Sequence, residues 1–264
     1  MLPGQVVWIT GASSGIGEEL AVGFAAAGAK LVLSARRPEE LARVAARCAG
    51  AEVLVLPLDL AKSDAFEGLV PRVLAHFGRI DLVVHNGGIS QRSLVKDTEM
   101  AVHRRIMEVN YFGTVALTRA VLPSMLAAKQ GQFVVISSVA GKVGTPLRSA
   151  YCASKHALHG FFDSLRAEVA KEGISVTMIC PGYIATEVSK NALTADGSPT
   201  NRTGEDIANG FSAEATARQI IAAVSAKKSE VYVGRFVGKE RLALGMKRFL
   251  PGVLERLVQN QAPK

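Results

Sequence analysis

Short runs in which nearly every residue is apolar alternate along this chain with longer stretches whose apolar positions recur every three or four residues. The short runs fall at 5–10, 30–35, 52–57, 80–85, 132–137, 175–180 and 230–234. Such runs are too short for helices and too uniformly apolar for half-solvated strands, so they predict strands buried on both faces, as in a parallel sheet. The intervening stretches 14–27, 38–48, 62–77, 97–128, 149–171 and 212–226 are long enough to return as right-handed crossovers on both faces. The pattern therefore predicts an α/β fold, a doubly wound seven-stranded parallel sheet in one domain over 1–237, followed by an extension at 238–264. Its ligand crevice should lie beyond the carboxyl ends of the strands, where loops carrying Gly11, Asn86, Ser138 and Pro181 converge. Residues 187–211 break the rhythm with turn formers such as Asn191, Gly197, Pro199 and Asn201, and are expected to form a mobile lid at the crevice edge.

At 264 residues, with 48% hydrophobic and 20% charged positions, the chain is large enough for a sizeable core and too apolar for disorder. Nothing at the start reads as a cleavable signal, and about 18 uninterrupted apolar residues occur nowhere, so the expected address is the cytoplasm. Cys48, Cys152 and Cys180 are odd in number and form no CxxC pair, which predicts reduced core thiols and no metal site. The net charge of +8 raises the question of nucleic acid. No basic stripe is interleaved with aromatics, and part of the excess sits in Lys227, Lys228 and the terminal segment, so nucleic acid is not expected as a partner.

Candidate chemistry clusters at the strand ends. The first strand runs into Gly11-Ala12-Ser13-Ser14-Gly15-Ile16-Gly17 and then a helix, which places small residues where backbone must approach a pyrophosphate at a helix N-terminus. After the second strand, an acid would accept a ribose 2′-hydroxyl. Here stand Arg36 and Arg37, whose guanidinium forks match a 2′-phosphate, so the spacing favours NADP(H) over NAD(H). The alternative is a solvated charge pair opening a helix. Asp59-Leu60 and Asn86-Gly87-Gly88 follow the third and fourth strands, where they suit the adenine and the cofactor ribose; either is also ordinary turn chemistry.

Tyr151 and Lys155 stand four apart in a helical stretch, thirteen residues beyond Ser138. That spacing puts phenol and ammonium on one helix face. A phenol titrates near ~10, and a positive charge about 4 Å away at an effective dielectric of roughly 20 is worth around three pKa units, so Tyr151 is expected to exchange protons near neutrality. A proton donor, its activator and an oxygen-orienting hydroxyl together read as redox chemistry between carbonyl and alcohol.

With these pieces placed, the chain resembles the short-chain dehydrogenase/reductase family. The resemblance rests on TGASSGIG from Thr10 to Gly17, Asp59-Leu60, HNGG from His85 to Gly88, Asn110, SSVAG from Ser137 to Gly141, YCASK from Tyr151 to Lys155 and PGYIAT from Pro181 to Thr186. It implies a Rossmann-type fold and a catalytic tetrad of Asn110, Ser138, Tyr151 and Lys155. It also implies cofactor contacts from Gly11, Ser13, Ser14, Gly15, Ile16, Gly17, Arg36, Arg37, Asp59, Leu60, Asn86, Gly87, Tyr151, Lys155, Pro181, Gly182, Ile184 and Thr186. Tyr151 would protonate the nascent alkoxide, Ser138 would fix the oxygen, Lys155 would also hold the nicotinamide ribose, and Asn110 would anchor a relay water.

Leu31–Arg37 and Lys142–Phe162 are similar to the hydroxysteroid dehydrogenase and retinal reductase branch, implying lipophilic ketone or aldehyde substrates and reduction with NADPH. Two departures are His85, where the family has asparagine, and the lack of the anchor segment common in animal members. The resemblance further implies a homodimer or homotetramer through helices 97–128 and 149–171. Ser90, Gln91, Leu147 and Tyr183 are candidate substrate contacts. A non-enzyme alternative is a silent NADP-binding regulator or scaffold. A serine hydrolase is disfavoured because no GxSxG surrounds Ser138. In the extension, Leu242, Phe249, Val253, Leu254 and Leu257 alternate with Lys239, Arg241, Lys247, Arg248 and Arg256. Packing on protein is the preferred reading there, and weak peripheral contact with a membrane through 238–258 the alternative.

Overall fold

Alternation along the strands decides which layer each side chain enters. In β1 (Val6–Thr10), Val7 and Ile9 enter one layer while Val6 and Trp8 enter the other. β2 (Lys30–Ser34) divides in the same way, with Leu31 and Leu33 opposite Val32. Every strand so divided needs cover on both faces, and the crossovers supply it. α1 (Gly15–Ala26) and α2 (Pro38–Arg47) cover the first face, where Leu20, Phe24, Leu41 and Val44 are fully buried. α3 (Phe66–Phe77) covers the second, and between it and α2 runs β3 (Val53–Val55).

The second half repeats the scheme. β4 (Leu82–His85), α4 (Met100–Met107), α5 (Gly113–Ala128), β5 (Gly131–Ile136), α6 (Ser149–Glu168) and β6 (Ile174–Pro181) follow. Then come β7 (Ile184–Ala185), α7 (Glu205–Ala208), β8 (Phe211–Ser212), α8 (Ala213–Ser225), β9 (Glu230–Val233), α9 (Lys239–Phe249) and α10 (Pro251–Gln259). The computed structural model describes residues 3–202, 204–235 and 238–260. Of the regions assigned above, Met1, Leu2, Thr203 of the 187–211 stretch, Phe236, Val237 and the terminal 261–264 lie outside the described residues.

All seven expected strands form one parallel sheet in the order β3-β2-β1-β4-β5-β6-β9, a doubly wound, Rossmann-type single domain. The chain reverses direction across the sheet between β1 and β4, which opens a crevice at their carboxyl ends. A small parallel pair, β7 with β8, was not signalled by the sequence because each strand has only two residues.

Two helical stretches are interrupted. The stretch 97–128 is helical from Met100, but Glu108–Phe112 winds as a π turn between α4 and α5. A π turn adds a residue and shifts the hydrogen-bond register. Here the Thr114 hydroxyl donates to the Asn110 carbonyl at 2.9 Å and Thr118 to the Thr114 carbonyl at 2.9 Å, so carbonyls near the shift find side-chain donors. The helical run Met100–Ala128 is long and apolar enough to cross a membrane by length and composition alone. It is a core-covering helix here, with Leu117, Val121 and Met125 fully buried. The extension forms two helices, since Pro251 cannot continue α9 and instead opens α10.

The interior also carries hydrogen-bonded polar groups. Trp8 Nε1 donates to Ser34 Oγ at 2.9 Å, and Ser34 in turn donates to the Leu56 carbonyl at 2.6 Å, joining β1, β2 and the end of β3. Replacing Ser34 with alanine leaves the indole N–H without an acceptor in a dry core. The expected loss is about 1–3 kcal/mol of unfolding free energy, read from urea denaturation. A variant as stable as the wild type would show that the relay carries no net stability.

Candidate active site

The crevice at the carboxyl ends of β1 to β6 is a cleft of about 730 Å³. Of the site residues expected from the sequence, all but Gly17 and Asn110 line it, and those two sit directly behind its wall. Gly11 has φ +64, and a Cβ there would lie 2.7 Å from the Gly87 Cα, so the β1 and β4 loops approach closely only without a side chain. A Cβ on Gly17 would strike the Gly11 carbonyl oxygen. Asn86 locks this contact by donating Nδ2 to the carbonyls of Thr10 and Gly11, each at 3.1 Å.

A brace beneath the glycine turn escaped sequence reasoning. Arg43 of α2 donates to the Ser13 carbonyl at 3.2 Å and pairs with Glu18 of α1 at 2.7 Å, while Arg47 pairs with both Glu18 and Glu19. Hydrogen bonding from Arg43, aided by Arg47, holds the Glu18 carboxyl below the usual range despite its burial. No short motif announces a brace built from an i, i+4 arginine pair on one helix and an acid on another. Arg36 and Arg37 stand exposed at the β2 end of the cleft with no ion pair to a carboxylate among the described residues. Asp59 lines the same end, and its Oδ1 accepts from the Ala61 N–H at 3.1 Å.

On the other side of the cleft, Tyr151 and Lys155 rise one turn apart on α6. Ser138, from the β5 end, hydrogen-bonds the Tyr151 phenol and accepts from the Ala140 N–H at 3.1 Å. Its neighbour Ser137 shares a 3.0 Å hydrogen bond with His159 Nε2, which ties the loop to α6. Asn110 lies 1% exposed in the π turn. Its Nδ2 donates to the Ile89 carbonyl and to Ser154 Oγ, both at 2.9 Å, and its Oδ1 accepts from the Ile89 N–H at 2.8 Å. Ser154 donates to the Tyr151 carbonyl at 2.8 Å. The amide is thus committed to bracing the Ile89 loop and α6 rather than directed outward to hold a relay water.

The electrostatic expectation for Tyr151 is overturned. Lys155 Nζ lies 5.7 Å from the centroid of the Tyr151 ring and donates to the Ile136 carbonyl at 2.8 Å, so its hydrogen bond goes to the backbone and not to the phenol hydroxyl. Burial raises the phenol above its ordinary value, and the Ser138 hydrogen bond and the Arg148 charge offset this only partly. The same burial lowers Lys155 to about 8. Desolvation wins because both groups leave water while neither gains a direct bond to the other.

His85, the departure in the β4 motif, points away from the cleft. Its Nε2 meets Thr118 Oγ1 at 2.9 Å, its ring stacks 5.9 Å from Phe133, and burial pushes it down to about 3, so it is a neutral core residue. Of the expected substrate contacts, Ser90, Gln91 and Tyr183 line the cleft and Leu147 does not. The 187–211 stretch is stitched along the rim, with Leu193 N–H donating to the Ser90 carbonyl at 2.8 Å and Arg92 N–H to the Leu193 carbonyl at 2.8 Å. Arg92, Arg105 and Arg148 also line the cleft and were missed, since isolated arginines carry no motif.

The glycine turn, the strand order and the α6 pair together define a dinucleotide-dependent oxidoreductase fold. The short chain dehydrogenase model matches residues 5–197. The chain is 44% identical over 269 residues to "Dehydrogenase/reductase SDR family member 7B" of Mus musculus, covering 100% of this chain and 83% of that protein. Among solved structures, a metagenomic short-chain oxidoreductase in complex with NADP superposes with TM-score 0.74 at 30% identity, over 89% of this chain and 99% of that one. One from Burkholderia phymatum in complex with NAD superposes with TM-score 0.83 at 24% identity, over 97% and 96%. The chain belongs to the short-chain dehydrogenase/reductase family, oxidoreductases that use a nicotinamide cofactor on carbonyl or hydroxyl groups of small molecules.

The Lys155 shift makes a signed prediction. Below about pH 8 the amine is protonated in both native and unfolded states, and the native state bears the whole cost of desolvating it. Between about 8 and the ordinary 10.5 the native state loses the proton first, so stability rises with pH. Unfolding free energy of the wild type, measured against Lys155→Met, should climb by about 3 kcal/mol across that window. A flat difference would mean an ordinary lysine.

Proposed function

We propose that the protein is an NADP(H)-dependent reductase of lipophilic ketones or aldehydes, with Ser138, Tyr151 and Lys155 acting directly and Asn110 holding them in place. The observation that carries this reading is the convergence of Tyr151, Ser138 and Lys155 at one wall of the cleft, whose other end presents Arg36 and Arg37 without an ion pair among the described residues. The residues fit the cofactor. Its pyrophosphate suits the backbone of Gly11 to Gly17, where side chains are excluded at Gly11 and Gly17, and its 2′-phosphate suits the Arg36 and Arg37 guanidinium groups. Ile184, Thr186, Pro181 and Gly182 offer the nicotinamide wall, and Lys155 the ribose contact. The bound cofactor supplies a hydride.

The chain's own part is the proton. A phenol held above its ordinary value stays protonated at neutral pH, which suits a donor to the alkoxide formed when a carbonyl carbon accepts hydride. Proton and hydride together make the alcohol. Ser138 donates to the same oxygen and orients it. Lys155, lowered to about 8, keeps a positive charge at neutral pH beside the Tyr151 ring, where it stabilises the phenolate that remains. The apolar rim formed by Val188, Ala192, Leu193 and Pro199 supports a hydrocarbon portion in the substrate.

Two surfaces support partners. Phe112, 51% exposed, forms an aromatic ledge with Tyr111 and Phe161 on the α5 and α6 side, where a second copy of the chain would bury it. In α9 and α10, only Leu254 among the expected apolar residues is buried. Leu242, Phe249, Val253 and Leu257 stay exposed beside basic residues, which supports weak contact with an anionic membrane over packing on this chain's own core. Sedimentation of the chain alone and with anionic vesicles checks both; a monomer that ignores the vesicles contradicts them.

Initial rates with NADPH and NADH on hydrophobic carbonyls test the reading. Tyr151→Phe should lower turnover by roughly 10²–10⁴-fold. Arg36→Asp should move the cofactor preference toward NADH by at least about tenfold. Full turnover in the first variant, or an unchanged preference in the second, refutes the respective assignment.

A further inference from the structure

Charge is distributed unevenly in the cleft. Away from Arg36, Arg37 and Asp59 at the β2 end, its lining contributes the cations Arg92, Arg105, Arg148 and Lys155, against the one carboxylate Glu187. Asp59 accepts a hydrogen bond from its own loop, and Glu187 pairs with Lys190 at 3.3 Å. The three arginines have no ion pair among the described residues.

Arg148 is the best placed of them. It is half-buried immediately before α6, three residues from Tyr151, with its guanidinium 5.9 Å from the centroid of the Tyr183 ring. Tyr183 belongs to the loop after β6, so the guanidinium bridges the two walls between which a reacting carbonyl must sit. Stacking on an aromatic face fixes the plane of a guanidinium while leaving its N–H fork available. A half-buried cation without a carboxylate is a costly feature to leave unmatched, and an anionic group in the ligand would match it. Arg92 stands on the facing rim. Its backbone is anchored to Leu193, and its Nη1 would come within 3.9 Å of a Cβ on Gly204, so it closes the same end from the lid side.

We propose that the substrate is an amphipathic carbonyl compound bearing an anionic group, a carboxylate or a phosphate, that Arg148 binds with help from Arg92 while the apolar rim takes its hydrocarbon portion. This rests on the reductase reading above and adds the charge of the substrate. The cations Arg36 and Arg37 are not part of it, since they stand at the β2 end of the cleft and are assigned above to the cofactor.

The test compares matched pairs: an oxo-carboxylic acid with its methyl ester, and a keto-alcohol with its phosphate monoester, each reduced with NADPH. The wild type should favour the anionic member of at least one pair by about tenfold or more in kcat/KM, and which pair shows it distinguishes carboxylate from phosphate. In Arg148→Gln that ratio should fall toward one, in Arg148→Lys it should recover in part, and the remote surface variant Lys171→Gln should keep the wild-type ratio. Neutral members turned over as well as anionic ones, with the ratio unmoved by Arg148→Gln, would overturn the inference and leave the reductase standing. Failure to reduce any compound would refute the reductase reading. The inference would then be decided by thermal shift: it survives if the anionic compounds raise the wild type's melting temperature more than that of Arg148→Gln, and fails if they do not.

Discussion

The Lys155 ammonium is held out of water against the Ile136 carbonyl, at the end of a central strand, and much of the cleft wall is arranged to keep it there. α6 places it one turn beyond Tyr151. The Ile89 loop, braced by Asn110, brings Gly88 so close that a Cβ there would stand 3.7 Å from Nζ. Ser137 and His159 fasten the β5 loop to the same helix. Desolvating an amine is unfavourable, and the cost appears as a proton affinity lowered to about 8. The fold tolerates this because two large apolar layers surround it, led by Trp8, Phe24, Phe133 and Phe162.

That constraint changes how the phenol works. An ammonium bonded to the hydroxyl would make Tyr151 a ready phenolate, whereas an ammonium beside the ring leaves burial in command and the proton in place. In the proposed reaction the acid would then be loaded before any substrate arrives, with the cation available to the base that proton loss creates. The two ends of the cleft differ in how they present charge, with exposed arginines at β2 and one over the Tyr183 ring at the other end.

Much of this was legible in the sequence. Uniform apolar runs mark strands covered on both faces, so all seven strands of the sheet were visible, and sheet topology then brings Gly11, Asn86, Ser138 and Pro181 to one place. What the sequence hid depends on three-dimensional register or on long-range desolvation. The π turn carries Asn110, whose side chain reaches Ile89, twenty-one residues away in sequence. The direction of the Tyr151 shift depends on where a flexible lysine side chain points, which an i, i+4 spacing leaves open. Arg43 and Arg148 act through partners on other elements, Ser13 and Tyr183, and no local pattern distinguishes them from solvated arginines. His85 shows the converse: a departure from the family motif that faces Phe133 and α5 and leaves the cleft untouched.

The account turns on Tyr151 being a protonated donor in the free protein, with burial outweighing the neighbouring cation. Tyrosinate absorbance recorded as a function of pH, wild type minus Tyr151→Phe, isolates that one phenol. The difference spectrum should show no tyrosinate at neutral pH, with ionisation appearing only above the range of an ordinary tyrosine. A transition near neutrality would contradict the account and restore the picture of a phenol acidified by Lys155.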